Sequence, residues 1–221
     1  MSELIEEVSR IERLKMKLVS LTGYLLPLLS SFPGLVPYTF LMTIPFIVFL
    51  TIIGGQLQEL HVFLPFLFLD GHLLDILVQN LGFILLLVSV FFLWKGKKEG
   101  LVTQGVYRVV RHPQYLGLIL FTAGLTSRSE LRLHTDGLGW LTIQQTILFW
   151  ILMVVAYNIL AFIEEIHLSK VFADSFIYED YRSRVGFMIP CPIKLPRISE
   201  IVLGIALPTI LLNALLFFHW Y

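Results

Sequence analysis

Apolar residues in this chain come in long runs, not in the short alternations of strands or the one-sided stripes of surface helices. Four runs, Leu35–Ile53, Ile76–Trp94, Ile143–Ile163 and Ile201–Trp220, are each about twenty residues long. With a rise of about 1.5 Å per residue, such a run crosses a hydrocarbon layer about 30 Å thick, so each predicts a transmembrane helix. A fifth run, Tyr115–Thr126, holds about a dozen residues and predicts a half-span or the first part of a tight hairpin. Leu57–Leu69 is apolar but broken by Glu59, His61 and Pro65, which suits an interfacial segment. Near the start, Leu4, Ile5, Val8, Ile11, Leu14 and Leu18 recur at helical spacing. They predict a short amphipathic helix over residues 3–18, lying on a membrane surface or solvated. Leu18–Leu29, with Pro27 and then Ser30, Ser31, Pro33, Gly34 and Pro37, leaves open whether it crosses, dips or lies flat. The pattern as a whole predicts an all-α, polytopic helical membrane protein with about five transmembrane helices.

Composition agrees with that picture. The 221 residues are 57% hydrophobic and only 14% charged, with a mean hydropathy of +0.81, whereas about a quarter of a soluble domain is charged. Sixteen basic residues balance sixteen acidic ones, with no long basic block. Nucleic acid is therefore a poor partner, because phosphate contacts need clustered Lys and Arg. A lone cysteine, Cys191, excludes an internal disulfide and any multi-cysteine metal site. The N-terminal stretch, with Glu3, Glu6, Glu7 and Glu12, is too acidic for a signal peptide, so the apolar segments are expected to stay in the mature protein. Of the Lys and Arg residues, 14 fall within residues 1–34, 95–112 and 164–199, and 2 within 128–142. The positive-inside rule then places the N-terminus and the two basic loops in the cytoplasm.

Those two loops hold the densest chemistry. The first runs from Leu101 through Tyr107, Arg108 and Arg111-His112-Pro113-Gln114-Tyr115 to Gly117. Pro113 suits the first turn of a helix, where its missing N–H costs nothing. Arg111 and His112 would then stand at the positive helix end, where free backbone N–H groups and a guanidinium can receive a carboxylate or a phosphate. Tyr107 and Tyr115 offer flat faces for an adenine or an apolar body. The second loop opens where an apolar span runs into Glu164 and Glu165, carboxylates that need a cation or water; Arg111 and a cationic ligand are both candidates. Tyr178, Tyr181 and Arg184, three apart, share one side of a helix. A plainer reading has Arg108, Arg111, Tyr107 and Tyr115 as membrane-face anchors and the two glutamates as a solvated helix end. The one Glu-x-x-His pair, Glu164 and His167, lacks the second pair that a di-iron bundle needs, and the six histidines show no ligand spacing, so no metal is expected.

Taken in order, the Leu-Val-Thr-x-Gly-x-Tyr run (Leu101–Tyr107), Arg-His-Pro-x-Tyr-x-Gly (Arg111–Gly117), the tandem Glu164-Glu165, and Tyr-x-x-Tyr-x-x-Arg-Val (Tyr178–Val185) before Pro190 form one pattern. It resembles the isoprenylcysteine carboxyl methyltransferase family and its wider group of integral-membrane methyltransferases, phospholipid N-methyltransferases included. The resemblance covers about the C-terminal half of the chain. It implies an S-adenosylmethionine-dependent methyltransferase with a cytosol-facing cofactor pocket and a lipophilic acceptor, such as a prenylated cysteine carboxylate, drawn from the membrane. Matching positions put Leu101, Val102, Tyr107, His112, Pro113, Gln114, Tyr115 and Glu164 at the cofactor; Arg111 joins them as an anion donor, with Glu165, Tyr178, Tyr181 and Arg184 behind them or toward the substrate. The implied organisation is an N-terminal membrane portion (1–94), a methyltransferase core (95–199) and a closing membrane helix (200–221).

Departures from the pattern bear on the acceptor. Leu160 stands where the isoprenylcysteine enzymes have a substrate arginine four positions before the matched glutamate, and Gly186 stands where a proline is common. The interval from Phe172 to Tyr178 is also longer than the pattern usually allows. A phospholipid amine or a thiol is the alternative acceptor. An NADPH-dependent sterol-type reductase shares a His-Pro-x-Tyr-x-Gly run but not the tandem glutamates or the Leu-Val-Thr lead-in. A non-enzymatic membrane protein would leave the motifs accidental, and a transporter would be expected to show internal repeats or mid-membrane charges.

Overall fold

A computed structural model describes residues 36–54, 72–96, 100–135, 141–172, 176–190 and 195–220. The amphipathic segment 3–18, the run 18–29 and the interfacial segment 57–69 lie outside the described residues. The chain divides into two units, residues 1–43 and 44–221, and the chemistry discussed below belongs to the second.

The described residues form helices α1 (Val36–Gly54), α2 (Leu73–Gly96), α3 (Pro113–Thr135), α4 (Ile143–Val171), α5 (Ile177–Arg184) and α6 (Arg197–Trp220), with a 3₁₀ turn at Gly105–Arg108. No strand occurs among them; extended pairing is limited to one parallel bridge between Val110 and Gly186. Three stretches, Leu73–Gly96, Ile143–Val171 and Arg197–Phe218, are long and apolar enough to cross a membrane, and Leu41–Ile53 is a shorter apolar helix. Leu77, Leu81 and Ile84 on α2, Leu148 and Leu152 on α4, and Ile210 on α6 turn large apolar side chains outward. Hydrocarbon is the solvent that suits such surfaces, since an aqueous surface seldom exposes apolar patches this continuous.

Helices α2 and α3 pack in close contact, and glycine explains it. A Cβ on Gly82 would lie 2.2 Å from the Phe121 backbone nitrogen, and one on Gly117 would lie 2.7 Å from that of Leu86. The two helices thus touch backbone to backbone, as small residues permit in a bilayer, where helices gain little from apolar burial alone. Polar side chains add directed links. Trp150 Nε1 donates to Thr122 Oγ1 (3.1 Å) and Asn158 Nδ2 to the Gly204 carbonyl (3.4 Å), joining α4 to α3 and α6.

Helix ends follow the local sequence. Pro113 opens α3, as its missing N–H predicts. Thr142 and Gln145 cap α4 reciprocally: Gln145 N donates to Thr142 Oγ1 (3.3 Å) and Thr142 N to Gln145 Oε1 (2.8 Å). One expectation is corrected. The helix holding Tyr115–Thr126 neither ends after a dozen residues nor turns into a tight hairpin there; α3 continues to Thr135. Composition hid this because Ser127, Arg128, Ser129 and Glu130 are polar, yet all four are buried, and Arg128 Nη1 donates to Gln79 Oε1 of α2 at 2.6 Å. Partners inside the protein let the helix carry its polar tail where lipid would not.

Candidate functional site

The segment Val110–His112 enters the fold in extended form beside Gly186–Phe187. Arg111 N donates to the Gly186 carbonyl (2.8 Å), and the Arg111 and His112 amides both reach the Phe187 carbonyl (3.1 and 3.2 Å). This splice fixes where Arg111 and His112 point before α3 begins. Burial of both residues follows, at 5% and 2% exposure.

Arg111 is consumed by the protein. Its Nε lies 2.8 Å from Glu165 Oε1 and its Nη2 2.8 Å from Glu200 Oε2. Its Nη1 donates to the carbonyls of Arg182 (2.8 Å) and Val185 (3.0 Å). One planar guanidinium thereby ties α4, α5 and α6 together, a task suited to its rigid fork of donors. The expected neutralisation of the tandem glutamates by Arg111 is found at Glu165. Two further arginines approach the other Glu165 oxygen, Arg182 Nε at 3.9 Å and Arg197 Nη2 at 3.6 Å.

His112 sits between the two glutamates, Nδ1 3.4 Å from Glu164 Oε2 and Nε2 3.5 Å from Glu165 Oε1. Burial disfavours its charge, but the two carboxylates outweigh that and hold its pKa above the ordinary 6.5. Its ring is edge-on to Phe187 at 5.1 Å and tilted against Tyr115 at 5.8 Å, and Tyr115 in turn rests on Tyr157 at 5.6 Å. Glu164 stays partly exposed, with 21% of its side chain accessible. Neither His112 nitrogen and not Glu164 Oε2 has a well-directed hydrogen bond, although all three are buried atoms.

The tyrosines build the wall. Tyr107 donates to Gln114 Oε1 (3.1 Å), and Tyr181 donates to the Tyr107 carbonyl (2.8 Å). Burial, reinforced by the glutamates, raises the pKa of Tyr107, Tyr178 and Tyr181, so all three remain neutral phenols. Tyr178 is 1% exposed and its hydroxyl has no hydrogen-bond partner.

The structure therefore gathers Tyr107, Arg111, His112, Pro113, Gln114, Tyr115, Glu164, Glu165, Tyr178 and Tyr181 around the start of α3. Leu101 and Val102 lie elsewhere on the loop, half-buried in a cleft against Phe92, Lys95 and Gly96 of α2. Arg184 does not join the group: its side chain is 69% exposed and pairs with Asp180 one turn back. Arg182, Arg197, Glu200 and Phe187 were not among the candidates read from the sequence. Arg182 and Arg197 figured there only in the count of basic residues, and nothing local links Glu200 to Arg111, 89 positions away.

Among known proteins, the model of the phospholipid methyltransferase family matches residues 65–175, half of the chain, taking in α2, α3, α4 and the His112–Glu165 cluster. No curated protein matches the chain, and no solved structure does.

Proposed function

We propose that this chain, which belongs to the phospholipid methyltransferase family and is thus an integral-membrane methyltransferase, transfers a methyl group from S-adenosylmethionine to a lipid-borne acceptor. A phospholipid amine is the first candidate acceptor. A prenylated cysteine carboxylate is the second, by the resemblance of the motif order to the isoprenylcysteine enzymes.

The observation that carries the proposal is the set of buried polar atoms without directed hydrogen bonds, the His112 nitrogens and Glu164 Oε2, at the end of a membrane-length helix. Such atoms fit a cofactor bearing an ammonium, a carboxylate and a sulfonium. Glu164 would hold the ammonium. Tyr107, His112, Pro113, Gln114 and Tyr115 would enclose the body, while Leu101 and Val102 stay in the separate cleft against α2. Arg111 serves as a positioning residue, because its donors already hold Glu165, Glu200 and the 182–185 carbonyls. When bound, S-adenosylmethionine supplies an electrophilic methyl group on a good leaving group, so alignment and exclusion of water do most of the catalytic work.

A carboxylate acceptor needs no base, whereas an amine must lose a proton. Two carboxylates raise the His112 pKa against the cost of burial, the tyrosines are held as phenols, and Glu165 is paired with arginines. This arrangement favours proton loss to water over a dedicated base. In this reading residues 95–199 form the reacting core, closed by the last helix, and the His112 end of the bundle faces the cytosol.

The test is transfer of labelled methyl from S-adenosylmethionine by purified protein in vesicles, with phosphatidylethanolamine, a prenylcysteine and a simple thiol as acceptors. Label in the phospholipid fraction is expected. Label in the prenylcysteine alone would make the prenylated cysteine carboxylate the acceptor, and none in any acceptor would contradict the proposal.

A further inference from the structure

We propose that Arg182 and Arg197 form an anion subsite that holds the phosphodiester of a phospholipid acceptor while its amine is methylated. The inference rests on the methyltransferase reading above and narrows its acceptor. Both arginines lie outside the stretch that matches the family.

Glu165 does not use up either side chain. Its Oε1 is ion-paired with Arg111 Nε at 2.8 Å, without a well-directed hydrogen bond. Arg182 and Arg197 approach Oε2 only to 3.9 and 3.6 Å, beyond hydrogen-bond length. A guanidinium has five N–H donors, and Arg197 Nε is a buried atom with no hydrogen bond. The charge count points the same way. Among the described residues three arginines, Arg111, Arg182 and Arg197, face two carboxylates, Glu165 and Glu200. A phosphodiester carries a single negative charge in a geometry that matches the arginine fork.

Position adds a second argument. The side chains of Arg182 and Arg197 are 26% and 37% accessible, so a ligand can reach them, unlike Arg111 at 2%. The Arg197 guanidinium lies over the Phe162 ring at 4.7 Å. Ile159, one turn deeper on the same face of α4, is 51% exposed. A cation at the end of a membrane-length helix, above an outward apolar side chain, suits a headgroup with its acyl chains alongside. In a phospholipid amine the phosphate and the reacting nitrogen are separate groups two carbons apart. The anion can then stay on the arginines while the amine reaches toward Glu164 and His112, whose neighbour Glu165 the arginines flank. In a carboxylate acceptor the anion is itself the reacting group, and two arginines would shield the oxygen that must attack.

The test compares the wild type with R182Q/R197Q and R182K/R197K, measuring S-adenosylmethionine affinity, kinetics with phosphatidylethanolamine, and binding of dansyl-phosphatidylethanolamine without cofactor. The Gln pair should raise KM for phosphatidylethanolamine about 10- to 100-fold, as loss of a charged hydrogen bond does. It should leave cofactor affinity unchanged, which also reports folding, and lower kcat less than it raises KM. The Lys pair should recover part of the loss. An unchanged KM in the Gln pair overturns the subsite while the methyltransferase reading stands. If the wild type methylates no acceptor at all, that reading fails, and the binding arm still decides: dansyl-lipid binding lost in the Gln pair supports the subsite, and unchanged binding overturns it. A KM rise confined to a prenylcysteine acceptor overturns the phosphodiester assignment.

Discussion

Arg111 Nε lies 2.8 Å from Glu165 Oε1, with both side chains at 2% exposure or less. Two charges so far from water persist only when each finds enough partners, and Arg111 finds Glu200 and two carbonyls besides. The first loop, the last turns of α4, the short α5 and the first turn of α6 are thus held through one side chain. Arg111→Met leaves Glu165 with only the two distant arginines and His112, and should destabilise the protein by about 3–5 kcal/mol. Arg111→Lys should restore little, since an ammonium cannot span the same four acceptors. Thermal unfolding in detergent measures both; a loss below about 1 kcal/mol for Arg111→Met would mean the pair is not structural.

Gly82 presents a different kind of constraint. A methyl group there would meet the backbone of Phe121, Gly117 and Leu120 within 2.8 Å, and backbone cannot step aside as a side chain can. Gly82→Ala should force α2 and α3 apart and cost about 1–3 kcal/mol or more. Denaturant or thermal melts of the variant, with proteolysis to detect local opening, give the check.

His112 makes stability depend on pH. Its folded pKa is raised above the ordinary 6.5 by Glu164 and Glu165 against the cost of burial. Its stabilising contribution is therefore fully present below about pH 6.5 and is lost as pH rises through the folded value. Melting temperature should fall across that window in the wild type, and the slope should flatten in His112→Gln. An equal slope in both proteins would assign the dependence to other groups.

Tyr181 supports the wall of the site through its hydroxyl, which donates to the Tyr107 carbonyl at 2.8 Å. Tyr181→Phe keeps the ring and removes the donor. A loss of about 0.5–1.5 kcal/mol is expected in the melting of the purified variant.

Much of this could be read from the chain because apolar runs and helix-start chemistry are local signals. The spans beginning near Ile76, Ile143 and Ile201 and the helix opening at Pro113 coincide with α2, α4, α6 and α3. The proximity of the Arg111–Tyr115 stretch to Glu164 and Glu165 was legible only as a shared motif order, since nothing in a single loop says which distant loop it meets. What stayed hidden depended on partners far along the sequence. The polar end of α3 looked like a loop because Gln79, 49 positions away from Arg128, is what makes it tolerable in the fold. Spacing placed Arg184 with Tyr178 and Tyr181, but the tyrosines turn inward while Arg184 turns out to Asp180. The sequence leaves Arg111 two partners, an anionic ligand or the tandem glutamates; in the fold it meets Glu165, and the further contacts with Glu200 and two carbonyls come from residues at least 71 positions on.

In the proposed reaction the cluster around His112 and Glu164 receives S-adenosylmethionine. Calorimetric titration of the detergent-purified protein with S-adenosylmethionine, its demethylated product and NADPH tests it most directly, with Glu164→Gln and Tyr115→Ala alongside. Glu164 is partly exposed, so its variant should fold and lose affinity selectively. Saturable binding of the methyl donor and its product is expected, weakened by both substitutions. Binding of NADPH alone, or methyl-donor binding untouched by Glu164→Gln, would contradict it.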